Sequence, residues 1–266
     1  EAVRNVEVSY DGKSAYTADV TGRILAWRLD TLENVGDMHD PSSGCVEILC
    51  CSLDSTYLAA GSSNGTVTIW NTHTLQKVGG YELSSAEVKA MVFGHTSYES
   101  LLFVGYDDGH LYAIDVVRGE VEYNVECGDR IVSLGVYDDP DTLVVALDGG
   151  VLNEYSLEDF SLDNEGDVST KGIVLMWIAG GSGCLPPRIA VCITVDHHLI
   201  LYDLISDCVY FELEFSPDYR VMHLLGGPVT AMAFVQQQTG YKNREPKRAV
   251  ILPFDIAHCL QHPNDA

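Results

Sequence analysis

Val46-Glu47-Ile48-Leu49-Cys50-Cys51 opens on a β-branched residue, places an apolar one three positions later and another two beyond that: Val46, Leu49, Cys51. The same spacing recurs at Val3-Val6-Val8, Val88-Met91-Phe93, Ile131-Leu134-Val136, Ile173-Met176-Ile178 and Val229-Met232-Phe234. Successive triplets begin 43, 42, 43, 42 and 56 residues apart. Such a period marks a repeat architecture, because one unit is too small to bury its own apolar face and must stack on its neighbours.

A second echo keeps step with the first. A turn and a strand follow each of the first five triplets: Thr21-Gly22-Arg23-Ile24, Asn64-Gly65-Thr66-Val67, Asp108-Gly109-His110-Leu111, Gly149-Gly150-Val151-Leu152 and Asp196-His197-His198-Leu199. Asn-Gly and Asp-Gly between apolar runs signal tight hairpins, whose central residues need positive φ. Five residues past the turn stands a large side chain: Trp27, Trp70, Ile114, Tyr155 or Tyr202. Four residues before it stands a small one in four units, Ala18, Gly61, Gly105 and Ala146, with Ile193 as the exception.

The unit resembles a WD-repeat. Ser9-Tyr10-Asp11-Gly12 and Ser52-Leu53-Asp54-Ser55 match its first turn, and the Trp-Asp pair that ends its third strand survives in pieces as Trp27-Arg28, Trp70-Asn71, Ile114-Asp115, Tyr155-Ser156 and Tyr202-Asp203. The resemblance covers nearly the whole chain, although every unit is degenerate and the Gly-His pair that usually opens a repeat is not evident. It implies an all-β fold, a β-propeller of four-stranded antiparallel blades, with five full units and a partial sixth beginning near residues 3, 46, 88, 131, 173 and 229. In the second unit the strands are expected at 46–51, 57–62, 67–71 and 76–83. Outer strands are expected at 34–38, 120–126 and 208–215, with a weak one at 160–167. The propeller should occupy residues 1–252, and 253–266 should form a short helix or tail bounded by Pro253 and Pro263.

Composition bounds the rest. A chain of 266 residues with 46% hydrophobic and 20% charged residues is that of a folded domain. No apolar run approaches the ~18 residues of a membrane span, so no membrane insertion is expected. The N-terminus carries no basic-then-apolar signal and does not begin with Met, so Glu1 reads as the start of a fragment. The 8 cysteines include no Cys-x-x-Cys pair, and those beside strand patterns read as buried thiols in a reducing compartment. The expected location is cytoplasmic, including a ciliary or cytoskeleton-associated assembly.

The net charge of −24 argues against nucleic acid as the main partner, since phosphate binding needs a surplus of Lys and Arg. Between Ile131 and Thr170 there is no Lys or Arg, while Asp138, Asp139, Asp141, Asp148, Glu154, Glu158, Asp159, Asp163, Glu165 and Asp167 all fall there. That sector serves solubility first, and its field would also steer a basic partner.

Two insertions interrupt the rhythm, at 180–188 and at 236–248. Both are read as loops in the first hairpin of their units, and so on one rim. Lys242, Arg244, Lys247 and Arg248 make the second the one basic cluster of an acidic chain. Asp255, His258, Cys259 and His262 would share a helix face, but incidental histidines at a chain end are the expected reading, and no metal is assigned. Asp196-His197-His198 reads as an exposed turn. There is no Gly-x-Ser-x-Gly elbow and no phosphate-binding Gly-rich loop before a helix, so no catalytic residue and no cofactor is expected.

Function follows from the resemblance: a noncatalytic scaffold for protein–protein interaction, one subunit of a multiprotein complex, whose partners are other protein subunits with basic surfaces. The alternative is a peptide receptor or substrate adaptor recognising a basic segment. Candidate contact residues come from the turns and from the approaches to the first strands: Glu87, Asp107, Asp108, His110, Arg130, His197 and His198, together with the basic cluster Lys242, Arg244, Lys247 and Arg248.

Overall fold

The computed structural model describes residues 2–138, 141–179, 188–215, 219–226, 230–237 and 249–255. Strands β1 (Val3–Val8), β2 (Ser14–Asp19), β3 (Arg23–Arg28) and β4 (Asn34–His39) form one sheet in that order. The second is β5 (Val46–Cys51), β6 (Tyr57–Ser62), β7 (Thr66–Asn71) and β8 (Lys77–Glu82). The third is β9 (Val88–Phe93), β10 (Leu101–Tyr106), β11 (His110–Asp115) and β12 (Glu120–Glu126). The fourth is β13 (Ile131–Asp138), β14 (Asp141–Leu147), β15 (Val151–Ser156) and β16 (Leu162–Asp167). The fifth is β17 (Ile173–Ala179), β18 (Ile189–Thr194), β19 (His198–Asp203) and β20 (Cys208–Glu214). A three-stranded sheet of β21 (Tyr219–Gly226), β22 (Thr230–Gln237) and β23 (Ala249–Asp255) follows. The chain divides into two compact units, 1–136 and 137–266.

Five of the six triplets are the first strands of their sheets. The second residue of that strand is skipped in the pairing with its neighbour: Arg4, Glu47, Lys89 and Val174 are bulges. The sixth triplet is different. Its second and third members, Met232 and Phe234, lie in β22, the middle strand, and the bulged first strand is β21, with Met222 skipped between Val221 and His223. The last sheet therefore starts ten residues before 229, at Tyr219. Its β23 also continues through Pro253 to Asp255, past the expected strand end at 252. Residues 256–266, with the expected helix, lie outside the described residues.

That shift moves the second insertion. Residues 180–187 join the first and second strands of their sheet, whereas 238–248 join the second and third. Successive hairpins of an antiparallel sheet turn at opposite ends, so the two insertions leave their sheets from opposite ends and do not share a rim.

In the first unit the sheets stack face to face. Tyr16, Ala18, Ile24, Ala26 and Met38 of the first sheet pack on Val46, Leu49, Cys51, Leu58, Ala60 and Trp70 of the second. Ala59, Val67 and Ile69 of the second then pack on Val88, Met91, Phe93, Leu102 and Val104 of the third. The small residues of the second strands are what allow this approach. A Cβ on Gly61 would lie 2.5 Å from Val88 Cγ1, and one on Gly105 would lie 2.5 Å from Ile131 Cγ2. Of the large side chains near the ends of the third strands, Trp70, Ile114, Tyr155 and Tyr202 are buried. Trp27 is half-buried and donates its indole N–H to Thr17 Oγ1 at 2.9 Å. The triplet of β1 departs from the pattern: Val3, Val6 and Val8 are 58%, 57% and 48% exposed.

Between the innermost strands of the first two sheets, Glu7 Oε1 accepts the Cys51 N–H at 3.1 Å. Burial raises this carboxyl to about 7, against the opposing pull of that N–H. A carboxyl raised on folding contributes stability below its unfolded value, and the contribution is lost as pH climbs through the folded one. Glu7→Gln should therefore gain on the natural protein by about 1–2 kcal/mol between pH 5 and pH 8, read by urea melts. A constant difference across that range would contradict the assignment.

The second hairpins demand a left-handed residue, with φ of +83° at Gly65. A Cβ there would sit 2.0 Å from Ser84 O, whereas one on Gly12, also left-handed at +67°, would meet nothing within 4 Å. Gly12→Ala should cost about 1–2 kcal/mol from backbone conformation alone. Gly65→Ala should cost more than about 3 kcal/mol, because backbone must move as well. Equal losses in denaturant melts would show that the close approach is not what holds this turn.

Candidate functional site

The hairpins between second and third strands, and the approaches to the following first strands, meet at one end of the sheets in the first unit. Five candidate residues come together there. Arg130 grips Asp107 Oδ1 with Nε at 3.1 Å and Nη2 at 2.8 Å. Lys89 Nζ lies 2.9 Å from Glu87 Oε1 and 3.7 Å from Asp107 Oδ1. The backbone ties the same groups, since the Asp107 N–H donates to Glu87 O at 3.0 Å. Glu87, Lys89, Asp107 and Arg130 thus form one chain of alternating charge, with the Arg130 side chain 54% exposed.

Asp108 and His110 stand in the adjoining turn. Asp108 accepts Ser84 Oγ at 2.6 Å and the His110 N–H at 3.2 Å. Burial would raise this carboxyl, but those hydrogen bonds outweigh it and hold the group below the usual range. His110 Nδ1 lies 3.3 Å from Asp108 Oδ1 without the alignment of a hydrogen bond. Its ring stacks on Tyr112, whose hydroxyl donates to Leu83 O at 3.1 Å. The imidazole is therefore fixed in place by a neighbour that is itself anchored.

Lys89 was absent from the candidates, as was the pair Arg4–Glu47, in which Arg4 Nη2 donates to Glu47 Oε2 at 2.7 Å. All three are the bulged second residues of first strands, so a charge directly after the first member of a triplet was the available signal.

His197 and His198 belong to the second unit. His197 fills the slot that glycine takes in the four other turns and adopts φ of +69°, a conformation open to histidine at modest cost. His198 Nδ1 lies 2.6 Å from Glu212 Oε1, and its N–H donates to Thr194 Oγ1 at 3.0 Å. Asp196 accepts the Thr194 hydroxyl at 2.5 Å, which lowers its pKa. These bonds close the turn. Lys242, Arg244, Lys247 and Arg248 lie outside the described residues, as do His258, Cys259 and His262. Asp255 is in β23. Among the described residues no group of three or more His, Cys, Asp or Glu side chains is placed to hold a metal ion.

At the other end of the first two sheets, Ser9, Lys13, Tyr16, Arg28, Ser55 and Thr72 line a cavity of about 530 Å³. Its hydroxyls serve the turns. Ser9 Oγ donates to Asp11 Oδ1 at 2.7 Å, Thr72 Oγ1 donates to Ser55 O at 2.6 Å, and Ser55 Oγ accepts the Asp11 N–H at 3.2 Å across the two sheets.

No family model matches the chain. Among curated proteins it is 26% identical over 157 residues to WD repeat-containing protein SL1-17 of Schistosoma mansoni, covering 59% of this chain and 51% of that one. It is 37% identical over 71 residues to apoptotic protease-activating factor 1 of Homo sapiens, covering 26% of this chain and 5% of that one. The chain thus spans about half the length of the first relative and a small part of the second. Among solved structures, the Cps50 (Swd1) β-propeller domain of Myceliophteria thermophila superposes with a TM-score of 0.77 at 11% identity, over 96% of this chain and 84% of that one. The structure of U3-55K superposes with a TM-score of 0.73 at 14% identity, over 89% and 77%. These two likenesses concern the fold. With the bulged, triplet-bearing sheets and the distant WD-repeat relative in agreement, the chain has the fold of a WD-repeat β-propeller and is similar to proteins of that family.

Proposed function

We propose that the chain is a noncatalytic interaction module of a multiprotein assembly, and that the sheet ends bearing Glu87, Asp107, Asp108, His110 and Arg130 are a contact face. The observation that carries this is the ion-pair chain Glu87–Lys89–Asp107–Arg130, part-exposed, with Asp107 tied to Glu87 by a backbone hydrogen bond at the end of the third sheet. A charge pattern pre-ordered in this way loses little side-chain entropy when a partner docks. Propellers of this family are usually noncatalytic and commonly bind proteins. The acidic surplus of the chain favours a partner with a basic surface, recruited electrostatically.

A second reading, a receptor for a basic segment, is favoured by the run of carboxylates without Lys or Arg between Ile131 and Thr170. For residence we propose the cytoplasm. Cys45, Cys50, Cys51, Cys192 and Cys208 are free thiols, which suits a reducing compartment.

Affinity capture of the native protein, followed by size-exclusion chromatography, should return a stoichiometric complex. Asp107→Lys together with Asp108→Lys should weaken that complex at least tenfold, equivalent to about 1.4 kcal/mol, while the melting temperature moves little. Undiminished assembly with the doubly substituted chain would remove this face from the contact.

A further inference from the structure

In the third strand of each full sheet, the residue before the large aromatic or aliphatic one faces the interior. Four sheets fill this slot with Ala26, Ile69, Ala113 and Leu201, all buried. The fourth sheet places Glu154 there, 6% exposed. A buried carboxylate is expensive unless its oxygens are satisfied, so a packing role alone does not account for the choice. Glu154 Oε2 accepts the Tyr137 hydroxyl at 2.5 Å, and Oε1 accepts Asn164 Nδ2 at 3.0 Å.

These groups stand at a cavity of about 210 Å³ lined by Tyr137, Thr142, Glu154, Asp163, Asn164 and Arg188. That is roughly the liquid volume of seven waters. Arg188 places its guanidinium carbon 5.2 Å from the centre of the Tyr137 ring, in the range of a cation–π contact. The cavity thus combines a buried carboxylate, a second carboxylate at Asp163, an aromatic face and a guanidinium already seated on that face. The surrounding sheet, β13 to β16, is the carboxylate-rich sector of the chain.

We propose that this cavity receives one basic side chain of a partner segment, arginine in preference to lysine, and that Arg188 is a resident guanidinium that the partner displaces. The proposal rests on the basic-segment reading above and gives it a place. The planar guanidinium fits both an aromatic face and a carboxylate, which an ammonium does less well. Desolvation strengthens the attraction of Glu154 for such a group, and the neighbouring carboxylates raise the local concentration of basic peptides. The resident arginine imposes a competition that lowers the affinity of every weak cation.

The test is fluorescence anisotropy of the purified chain with a labelled Gly/Ser heptapeptide carrying a central arginine, alongside its lysine and glutamate counterparts. Binding should rank arginine, lysine, glutamate. Arg188→Ala should tighten the arginine peptide about tenfold by removing the competitor, and Glu154→Gln should weaken it about tenfold. Arg188 is half-buried at the cavity wall, so its variant remains informative even where Glu154→Gln fails to fold. A merely structural Arg188 would leave affinity unchanged or reduced on substitution, and either result overturns the proposed site. Binding that ignores both substitutions places the basic segment elsewhere on the acidic sector and overturns this cavity alone. Failure of the natural chain to bind the arginine peptide overturns the site and the basic-segment reading together.

Discussion

Val88 sits where a side chain on Gly61 would begin, and Ile131 stands in the same relation to Gly105. This fit between the first strand of one sheet and the second strand of the sheet before it governs much of the molecule. Interiors are close-packed, so a β-branched residue can lie this near a neighbouring backbone only if the facing position lacks a side chain. The repeat period accords with it, since four sheets present a β-branched leading residue and a small residue in the second strand, with Ile193 of the fifth sheet as the exception. Once the sheets are seated, the hairpins at their ends have fixed relative positions within the unit, and the charges they carry become an ordered pattern.

Two local devices keep each sheet in step. The third and fourth strands slip by one residue at the large side chain, between Ala26 and Trp27, Ile69 and Trp70, Ala113 and Ile114, Glu154 and Tyr155, and Leu201 and Tyr202. The hairpins leading there contain a left-handed residue in every full sheet: Leu32, Leu75, Gly119, Phe160 and Asp207. Such a residue paired with a bulge is a common way to close a hairpin whose loop is longer than two residues. Four of the five are not glycine, so the turn is imposed by the strands it joins and accepted at a cost of about 1–3 kcal/mol each.

The candidate face was half legible. Asp107, Asp108 and His110 were found because they flank the Asp-Gly hairpin signal, and Glu87 and Arg130 because they precede first strands. Lys89 escaped notice because a bulge turns a residue out of strand alternation, and its one mark in the sequence is a charge directly after the first member of a triplet. Glu154 was visible as one carboxylate among ten in an acidic run. Nothing in that run distinguishes the buried Glu154 from exposed acids such as Glu158 and Glu165, since burial is set by the neighbouring sheet.

Periodicity, read with the WD-repeat resemblance, pointed to the all-β architecture and placed the strands of the second sheet and the outer strands of the first, third, fourth and fifth to within a residue or two, because those depend on contacts that repeat at constant spacing. Where the spacing broke, pairing decided. Residues 229–234 carry the triplet of a first strand, yet β21 precedes them and makes β22 a central strand. Hydrogen-bonding to two neighbours is a property of what lies alongside, and a triplet records only which residues are apolar. For the same reason only the folded chain brings Asp107 to Arg130 and Glu154 to Tyr137. Each pair joins separate strands or turns, and its geometry comes from how those elements are held together.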